Sequence, residues 1–167
     1  LAINGDGFFE LRKEDGSYVY TRDGSFKISA EGSIVNANGN ILDPGFTIDT
    51  SAAGVQISKQ GNIQLVQFNG DKVDLGNIDL VKFVNPGGLK PIGDNLYEET
   101  TNSGEPIIGT PGGDGFGEIH QGFLEASNVD IVEEMVNMIT AQRSYEINSK
   151  TVKTVDEMMS MANNLRR

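Results

Sequence analysis

The sequence has no cysteine, few basic residues and no long apolar run. Without cysteine the chain cannot form disulfides, zinc–thiolate sites or a thiolate nucleophile. Its 13 basic and 24 acidic residues give a formal net charge of −11, whereas nucleic-acid and anionic lipid surfaces attract clustered Lys and Arg. No apolar run approaches the roughly 18 residues of a membrane span. We therefore expect no nucleic-acid binding and no insertion into lipid.

Glycine and proline are missing from residues 123–167, although the chain contains 21 glycines and five prolines. All five methionines lie in this last segment, and most of the excess negative charge lies before it. Such coincident changes in composition mark an architectural boundary. The sequence therefore predicts two domains, residues 1–122 and residues 123–167.

The first segment has the pattern of antiparallel β-structure. Runs such as FFELRK, YVYT, FKIS and IVNA alternate with the turn signals EDGS, RDGS, AEGS and NGN. Asp-Gly and Asn-Gly favour turns because both residue types tolerate positive φ, and turn signals at this spacing predict meandering hairpins. Residues 26–40 and 55–71 share the pattern I-S-x-x-G-x-I, which predicts two copies of one hairpin type.

The last segment has the pattern of a single long helix. Ser127 and Asp130 fit a capping box, and apolar side chains recur at spacings of three and four from Ile131, with a shift of register after Val152. A helix over residues 128–165 would span roughly 57 Å, whereas a β-domain of this size is about 30 Å across. Part of the apolar stripe must therefore project beyond its own domain and needs a partner. The predicted fold is mainly β: an antiparallel, hairpin-rich β-domain followed by one long, coiled-coil-like C-terminal α-helix.

Residues that could carry chemistry do not converge. His120 is the single histidine, and one ligand does not make a metal site. The glycine-rich stretch TPGGDGFGE lacks the Lys-Ser/Thr of a phosphate loop, and NANGNILD lacks the glutamate of an EF-hand. Glu133 and Glu134 would point about 100° apart on a helix and cannot share a site. We expect no catalytic, cofactor or metal site, and no enzyme activity.

Five stretches resemble the flagellar rod and hook proteins of bacteria: LAINGDGFF, YTRDGSF, FVNPGGLKPIGDNLYEETTNSGEP, QGFLEASNV and EEMVNMITAQRSYEINSK. The resemblance covers nearly the whole chain. The AQRSYEINSK helix, with VDEM after it, is nearer to distal rod subunits than to hook proteins or other rod subunits. The family's N-terminal helix is not found before LAINGDGFF, so we expect that this segment is missing from the sequence.

The resemblance implies a structural subunit of the basal body that is exported through the flagellar type III apparatus. Copies would assemble with one another, and with adjacent rod and hook subunits, into a hollow shaft that transmits torque. Contacts with ring bushing proteins are left open. Mapped onto this sequence, the assembly surface is expected at Ile131, Met135, Met138, Ile139, Gln142, Tyr145, Val152 and Met159, with Arg143 and Glu146 bonding neighbouring subunits.

Three other interpretations remain open at this stage. The chain could be a hook protein or another rod subunit, although hook proteins usually carry larger outer domains. It could also be a secreted β-domain binding module with a helical anchor, which would require exposed ligand-binding aromatic side chains and no self-assembly. The last segment could finally be an ordinary core helix, but its length argues against that.

Overall fold

The computed structural model describes residues 1–49 and 52–165 of the chain. Two units are separated along the sequence, Leu1–Glu125 and Ala126–Arg167. This division falls three residues after the boundary drawn from composition. The first unit holds the described strands and the second holds the long helix.

The elements follow one another along the chain without a helix between strands, apart from a short 3₁₀ turn at Pro86–Gly88. In order they are β1 (Ala2–Asn4), β2 (Phe9–Arg12), β3 (Tyr18–Thr21), β4 (Lys27–Ile28), β5 (Ile34–Val35), β6 (Ile41–Leu42), β7 (Gly54–Ile57), β8 (Asn62–Val66), β9 (Lys72–Asn77), β10 (Leu80–Lys82), β11 (Lys90–Gly93), β12 (Leu96–Glu98), β13 (Ile107–Gly109), β14 (Glu118–His120) and α1 (Ile131–Leu165).

All pairings between these strands are antiparallel. The larger sheet has the strand order β11-β12-β3-β2-β6-β5-β4, and a second sheet has the order β7-β8-β9. Two-stranded ladders join β1 to β14 and β10 to β13. The predicted class, a mainly antiparallel β-domain followed by one C-terminal helix, is confirmed.

Most of the predicted turns form hairpins, but RDGS does not. Gly16, Gly39 and Gly70 take positive φ of 84°, 85° and 88° in the turns between β2 and β3, β5 and β6, and β8 and β9. After RDGS the chain leaves the β3 edge, because β3 lies between β12 and β2 while β4 forms the far edge of the sheet. The prediction of a hairpin at this turn was therefore wrong.

The repeated pattern I-S-x-x-G-x-I corresponds to two turns with the same geometry. The glycine amide donates to the serine carbonyl in each, Gly32 to Ser29 and Gly61 to Ser58, both at 3.0 Å. Each glycine carbonyl then accepts from a buried isoleucine amide further along the chain, Ile48 or Ile78, at 2.8 Å. The two copies of the turn are thus joined to the chain that follows them by the same pair of hydrogen bonds.

One apolar core joins the sheets. Its members come from β1, β2, β3, β5, β6, β8, β10, β12 and β14 and from the segments between them. The fully buried members are Phe9, Leu11, Val19, Leu42, Ile63, Ile78, Leu80 and Ile119. Alternate residues of β2 and β8 point into this core, as expected for strands with one buried face.

The stretch YTRDGSF holds the start and the end of the β-unit together. The Arg22 guanidinium donates to the carbonyls of Ile3, Gly5 and Gly7 at 3.2, 3.0 and 2.8 Å. Its Nε donates to the Glu125 carboxylate at 2.8 Å. One side chain therefore satisfies three backbone carbonyls and fixes the last residue of the unit.

The loop that contains NPGGL and SGEP is closed by its own polar groups. Ser103 is fully buried, and its Oγ donates to the Thr100 carbonyl at 2.8 Å. The Thr100 hydroxyl donates to the Gly88 carbonyl at 2.7 Å. A Cβ at Gly88 would lie 2.7 Å from the Asn102 carbonyl, so no larger residue fits. These residues serve the loop's own structure.

The first and last strands of the β-unit pair with each other. Ala2 lies opposite His120 and Asn4 opposite Glu118, while the Leu1 amino group donates to the Gly24 carbonyl at 2.7 Å. Just beyond β14, the Gln121 side chain accepts from the Ile57 amide at 2.9 Å and donates to the Val55 carbonyl at 2.8 Å. The side-chain amide of Gln121 therefore makes the hydrogen bonds that a neighbouring strand would make at part of the β7 edge.

Candidate assembly surface

The helix begins where Asp130 caps it. The Asp130 Oδ1 accepts from the amides of Val132 at 2.8 Å and Glu133 at 3.4 Å, whereas the Ser127 hydroxyl accepts only from Val129, at 3.3 Å. Asp130 is therefore the N-cap, and the helix starts at Ile131, later than the sequence prediction. Glu133 and Glu134 lie in the first turn, where negative charge complements the helix dipole.

Every large apolar side chain described on this helix is exposed, from 45% at Val155 to 77% at Tyr145. The hydroxyls of Thr140, Ser144 and Thr151 donate to carbonyls one turn earlier at 2.8–2.9 Å, so these polar groups are already satisfied. Within the described part of the chain the helix is not long and apolar enough to cross a bilayer. It thus presents apolar surface that is uncovered by its own unit.

The predicted assembly residues do not all share one side of the helix. Successive residues turn about 100° around the axis, which groups eight of them on one side: Ile131, Met135, Met138, Ile139, Gln142, Arg143, Tyr145 and Glu146. Val152 and Met159 lie about 90° and 110° from the centre of that side. Arg143 and Glu146 make no ion pair among the residues that the structure describes.

The sequence interpretation missed a second set of apolar residues. Ile147, Met158 and Met161 are 64%, 56% and 59% exposed and were not part of the predicted stripe. Met158 projects about 60° from Val155, whereas Met161 projects directly opposite Val152. Plotting every apolar residue at 100° intervals, rather than following one seam, would have found them.

His120 has one acidic side chain close to it, that of Glu118. Its Nε2 is buried without a hydrogen-bond partner, 3.6 Å from the Glu118 carboxylate, and its ring meets Phe123 edge to face at 6.1 Å. Across residues 1–49 and 52–165, no group of three or more His, Asp or Glu side chains is placed to hold a metal ion.

An open groove of about 1200 Å³ in the β-unit is strongly acidic. Its walls include Glu10, Asp43, Glu99 and Tyr20. Burial, with the nearby Asp43 carboxylate, raises the pKa of Glu10 above its ordinary 4.5. Burial and the Glu10 charge raise the pKa of the Tyr20 hydroxyl. With five acidic side chains in its lining, the groove is a negatively charged surface.

Two family descriptions match the chain. "Flagellar hook protein FlgE/F/G D1 domain" matches residues 2–65, which lie in the β-unit. "Flagellar basal body rod FlgEFG protein C-terminal" matches residues 120–165, which include the whole described helix. The two descriptions therefore cover parts of both units.

Curated relatives match over the whole chain. The flagellar basal-body rod protein FlgG of Borreliella burgdorferi is 47% identical over 100% of this chain and 64% of its own length. FlgG of Bacillus subtilis is 40% identical over 100% of this chain and 65% of its own. The flagellar hook protein FlgE of Salmonella typhimurium is 40% identical over 80% of this chain but only 32% of its own. The chain thus spans a little under two thirds of the rod relatives' length.

Proposed function

Since this chain belongs to the family of bacterial flagellar rod and hook proteins, we propose that it is a structural subunit of the distal flagellar rod. Copies assemble into a hollow helical shaft in the basal body and transmit torque from the motor to the hook. The observation that carries this proposal is the 35-residue helix, whose large apolar side chains are all exposed in the single chain. Such surface is stabilised only when neighbours cover it.

The partners that follow are other copies of the chain and the adjacent rod and hook subunits. The flagellar export apparatus delivers the subunit, and contacts with ring bushing proteins are not part of the proposal. No catalytic activity is part of this function. The lone His120 and the acidic groove have structural or surface roles in it.

Two specific observations bear on the alternatives. The hook protein of Salmonella shares 40% identity with 80% of this chain, yet this chain corresponds to only 32% of that protein. Rod proteins match over a larger share of both partners. The rod is therefore favoured, and a hook subunit is the second candidate.

A charge placed in the helix tests the assembly role. In the intact protein that contains this chain, Met138→Asp replaces an exposed apolar side chain of the predicted assembly surface by a carboxylate, and burying an unpaired ion costs several kcal/mol. We expect loss of swimming and absence of the distal rod from isolated basal bodies, in a strain that lacks its own rod protein. The thermal stability of the β-unit should not change.

The matched control is Asn137→Asp, which adds the same charge one residue away on the opposite, polar side of the helix. This variant should assemble and swim. Normal rods built from Met138→Asp, or rescue of a hook-deficient rather than a rod-deficient strain by the unchanged protein, would contradict the proposal.

A further inference from the structure

Asparagine stands directly before glycine at three places in the chain, Asn4-Gly5, Asn38-Gly39 and Asn69-Gly70. Such a pair can lose ammonia without an enzyme, because the glycine amide nitrogen can attack the carboxamide carbon of the asparagine before it. Glycine has no Cβ, so it leaves this nitrogen uncrowded and the backbone free to reach the reactive conformation. A pair held in a hydrogen-bonded fold must first open locally, at a free-energy cost that differs from site to site. The contacts around each pair therefore determine which one reacts first.

The Asn4-Gly5 pair is held from two sides. Asn4 lies opposite Glu118 in the ladder of β1 and β14, and the Gly5 carbonyl accepts from the Arg22 guanidinium at 3.0 Å. The chain also passes close by, because a Cβ at Gly5 would lie 2.8 Å from the Gly117 Cα. Opening this pair therefore breaks contacts with two distant segments of the β-unit.

The Asn38-Gly39 pair is held by a second hairpin. It lies in the turn between β5 and β6, where the Gly39 amide donates to the Asn36 carbonyl at 3.2 Å. The Asn38 Nδ2 donates to the Asp94 carboxylate at 3.0 Å, and Asp94 belongs to the turn between β11 and β12. The carboxamide that would be attacked is therefore fixed from outside its own turn.

The Asn69-Gly70 pair lies in a turn of the same kind, between β8 and β9, where the Gly70 amide donates to the Gln67 carbonyl at 3.0 Å. The Asn69 Nδ2 donates to the Asp71 carboxylate at 2.7 Å, and the Asn69 Oδ1 accepts from the Asp71 amide at 3.0 Å. The turn projects into solvent, since Phe68 is 84% exposed and a Cβ at Gly70 would meet no atom within 4 Å. The bonds described for this pair can therefore open without disturbing another hairpin.

We propose that Asn69 is a site of spontaneous deamidation in the folded protein, and that it reacts before Asn38 and Asn4. The three pairs consist of the same two residues, so the difference arises from the contacts that local opening must break. One additional hydrogen bond between hairpins, from Asn38 to Asp94, corresponds to a rate about fivefold lower. Asn4 should react more slowly still, because a strand ladder and the bond from Arg22 hold its pair.

The reaction consumes water and releases ammonia. The Gly70 nitrogen loses its proton to a base in the solvent and bonds to the Asn69 Cγ, while the Cγ–Nδ2 bond breaks and the amide takes up a proton and leaves as ammonia. Water then opens the five-membered succinimide ring at either carbonyl. Attack at Cγ gives aspartate, and attack at the main-chain carbonyl gives isoaspartate, in which the main chain runs through Cβ and Cγ.

Both products change the tip of the hairpin. Each adds a negative charge beside Asp71, so the bond that the Asn69 Nδ2 donates at 2.7 Å gives way to repulsion between two carboxylates. Isoaspartate also lengthens the main chain inside a turn that is closed by the Gln67 amide and the Asp71 carbonyl at 2.9 Å. A chain that has reacted should therefore pair β8 with β9 less tightly at this end.

Peptide mapping by mass spectrometry tests the order of reaction, because it follows the three pairs separately in the full chain. The folded chain is incubated at mildly alkaline pH, and the same incubation in guanidinium chloride gives the reference rates, which should be similar at all three pairs. In the folded chain Asn69 should lose its amide about fivefold faster than Asn38, and Asn4 should be slowest. A folded chain in which Asn69 reacts no faster than Asn38 or Asn4, or stays intact while it reacts in the denaturant, would overturn the proposal.

The variant Asp94→Gly isolates the contact that holds Asn38. Asp94 has a φ of 53°, which glycine adopts without strain, so the substitution removes the acceptor and keeps the conformation of the turn. The rate at Asn38 should rise about fivefold, to that of Asn69, while Asn69 and Asn4 in the same sample keep their rates. An unchanged rate at Asn38, or an equal rise at all three pairs, would refute the order derived from these contacts.

Discussion

Replacing Arg22 by Met should destabilise the β-unit by several kcal/mol. The guanidinium donates to three backbone carbonyls at 2.8–3.2 Å, and methionine keeps the apolar stem but none of these bonds. At about 1 kcal/mol for each partly exposed bond, the loss is roughly 3 kcal/mol. For a unit of this size that corresponds to a fall in Tm of about 12 °C.

The ion pair to Glu125 should contribute little of this. Its two side chains are 29% and 42% exposed, and exposed pairs are usually worth about 0.2–1 kcal/mol. Glu125→Gln removes the charge while leaving the carbonyl contacts in place, so it is the matched control. Arg22→Lys should fall between the two variants, because one ammonium cannot reach three carbonyls in a fixed fork.

Urea unfolding of the full chain, followed by tyrosine fluorescence, measures these differences, since three of the four tyrosines lie in the β-unit. We expect parallel slopes with midpoints in the order wild type, Glu125→Gln, Arg22→Lys and Arg22→Met. Equal small losses for Arg22→Met and Glu125→Gln would show that the three carbonyl bonds do not stabilise the unit, and the reasoning would fail.

Three further predictions concern the pH dependence of stability, the hydrogen-exchange protection of the helix and the independent folding of the β-unit. Because the pKa of Glu10 is raised in the folded state, its ionisation destabilises the fold as pH rises above 4.5. Glu10→Gln should therefore melt at a higher temperature than wild type at pH 7 and at the same temperature at pH 3. The same difference in melting temperature at both pH values would refute this. In dilute solution, hydrogen exchange should be much faster in residues 131–165 than in the core strands, and equal protection would argue against an assembly helix. A chain truncated after Gly122 loses the Arg22–Glu125 pair but keeps the apolar core, so it should still melt cooperatively, whereas a collapsed amide spectrum would show that the later residues complete the fold.

Local features of the fold could be predicted because they depend on near neighbours in the sequence. Asn-Gly and Asp-Gly turns require positive φ wherever they occur. Apolar residues that recur at spacings of three and four, without glycine or proline between them, predict a helix in any context. The pairing of β1 with β14 joins residues more than 100 positions apart and leaves no periodic signal. The failure of RDGS as a hairpin turn has the same origin, since β3 pairs there with β12, in which Leu96 lies opposite Thr21.

The assembly surface stays a prediction, but the placement of the apolar side chains can be compared with it. A heptad seam from Ile131, continued with a shift of register to Val155 and Met159, describes part of the apolar surface. It left out Met158 and Met161, since a single seam does not follow apolar residues that lie elsewhere around the helix. The N-cap was placed at Ser127, and the helix from residue 128, because the capping box does not reveal which of its two side chains accepts the amides.

The pairing of the first and last strands also determines how the β-unit bears load. Because Ala2 lies opposite His120, the polypeptide runs into and out of the unit at the base of one two-stranded ladder. A pull on the two ends would open this ladder rung by rung, as a zipper opens, and the tension would bypass the seven-stranded sheet. The two ends of the unit thus lie side by side, and its outer strands can lengthen or change sequence without altering the distance between them.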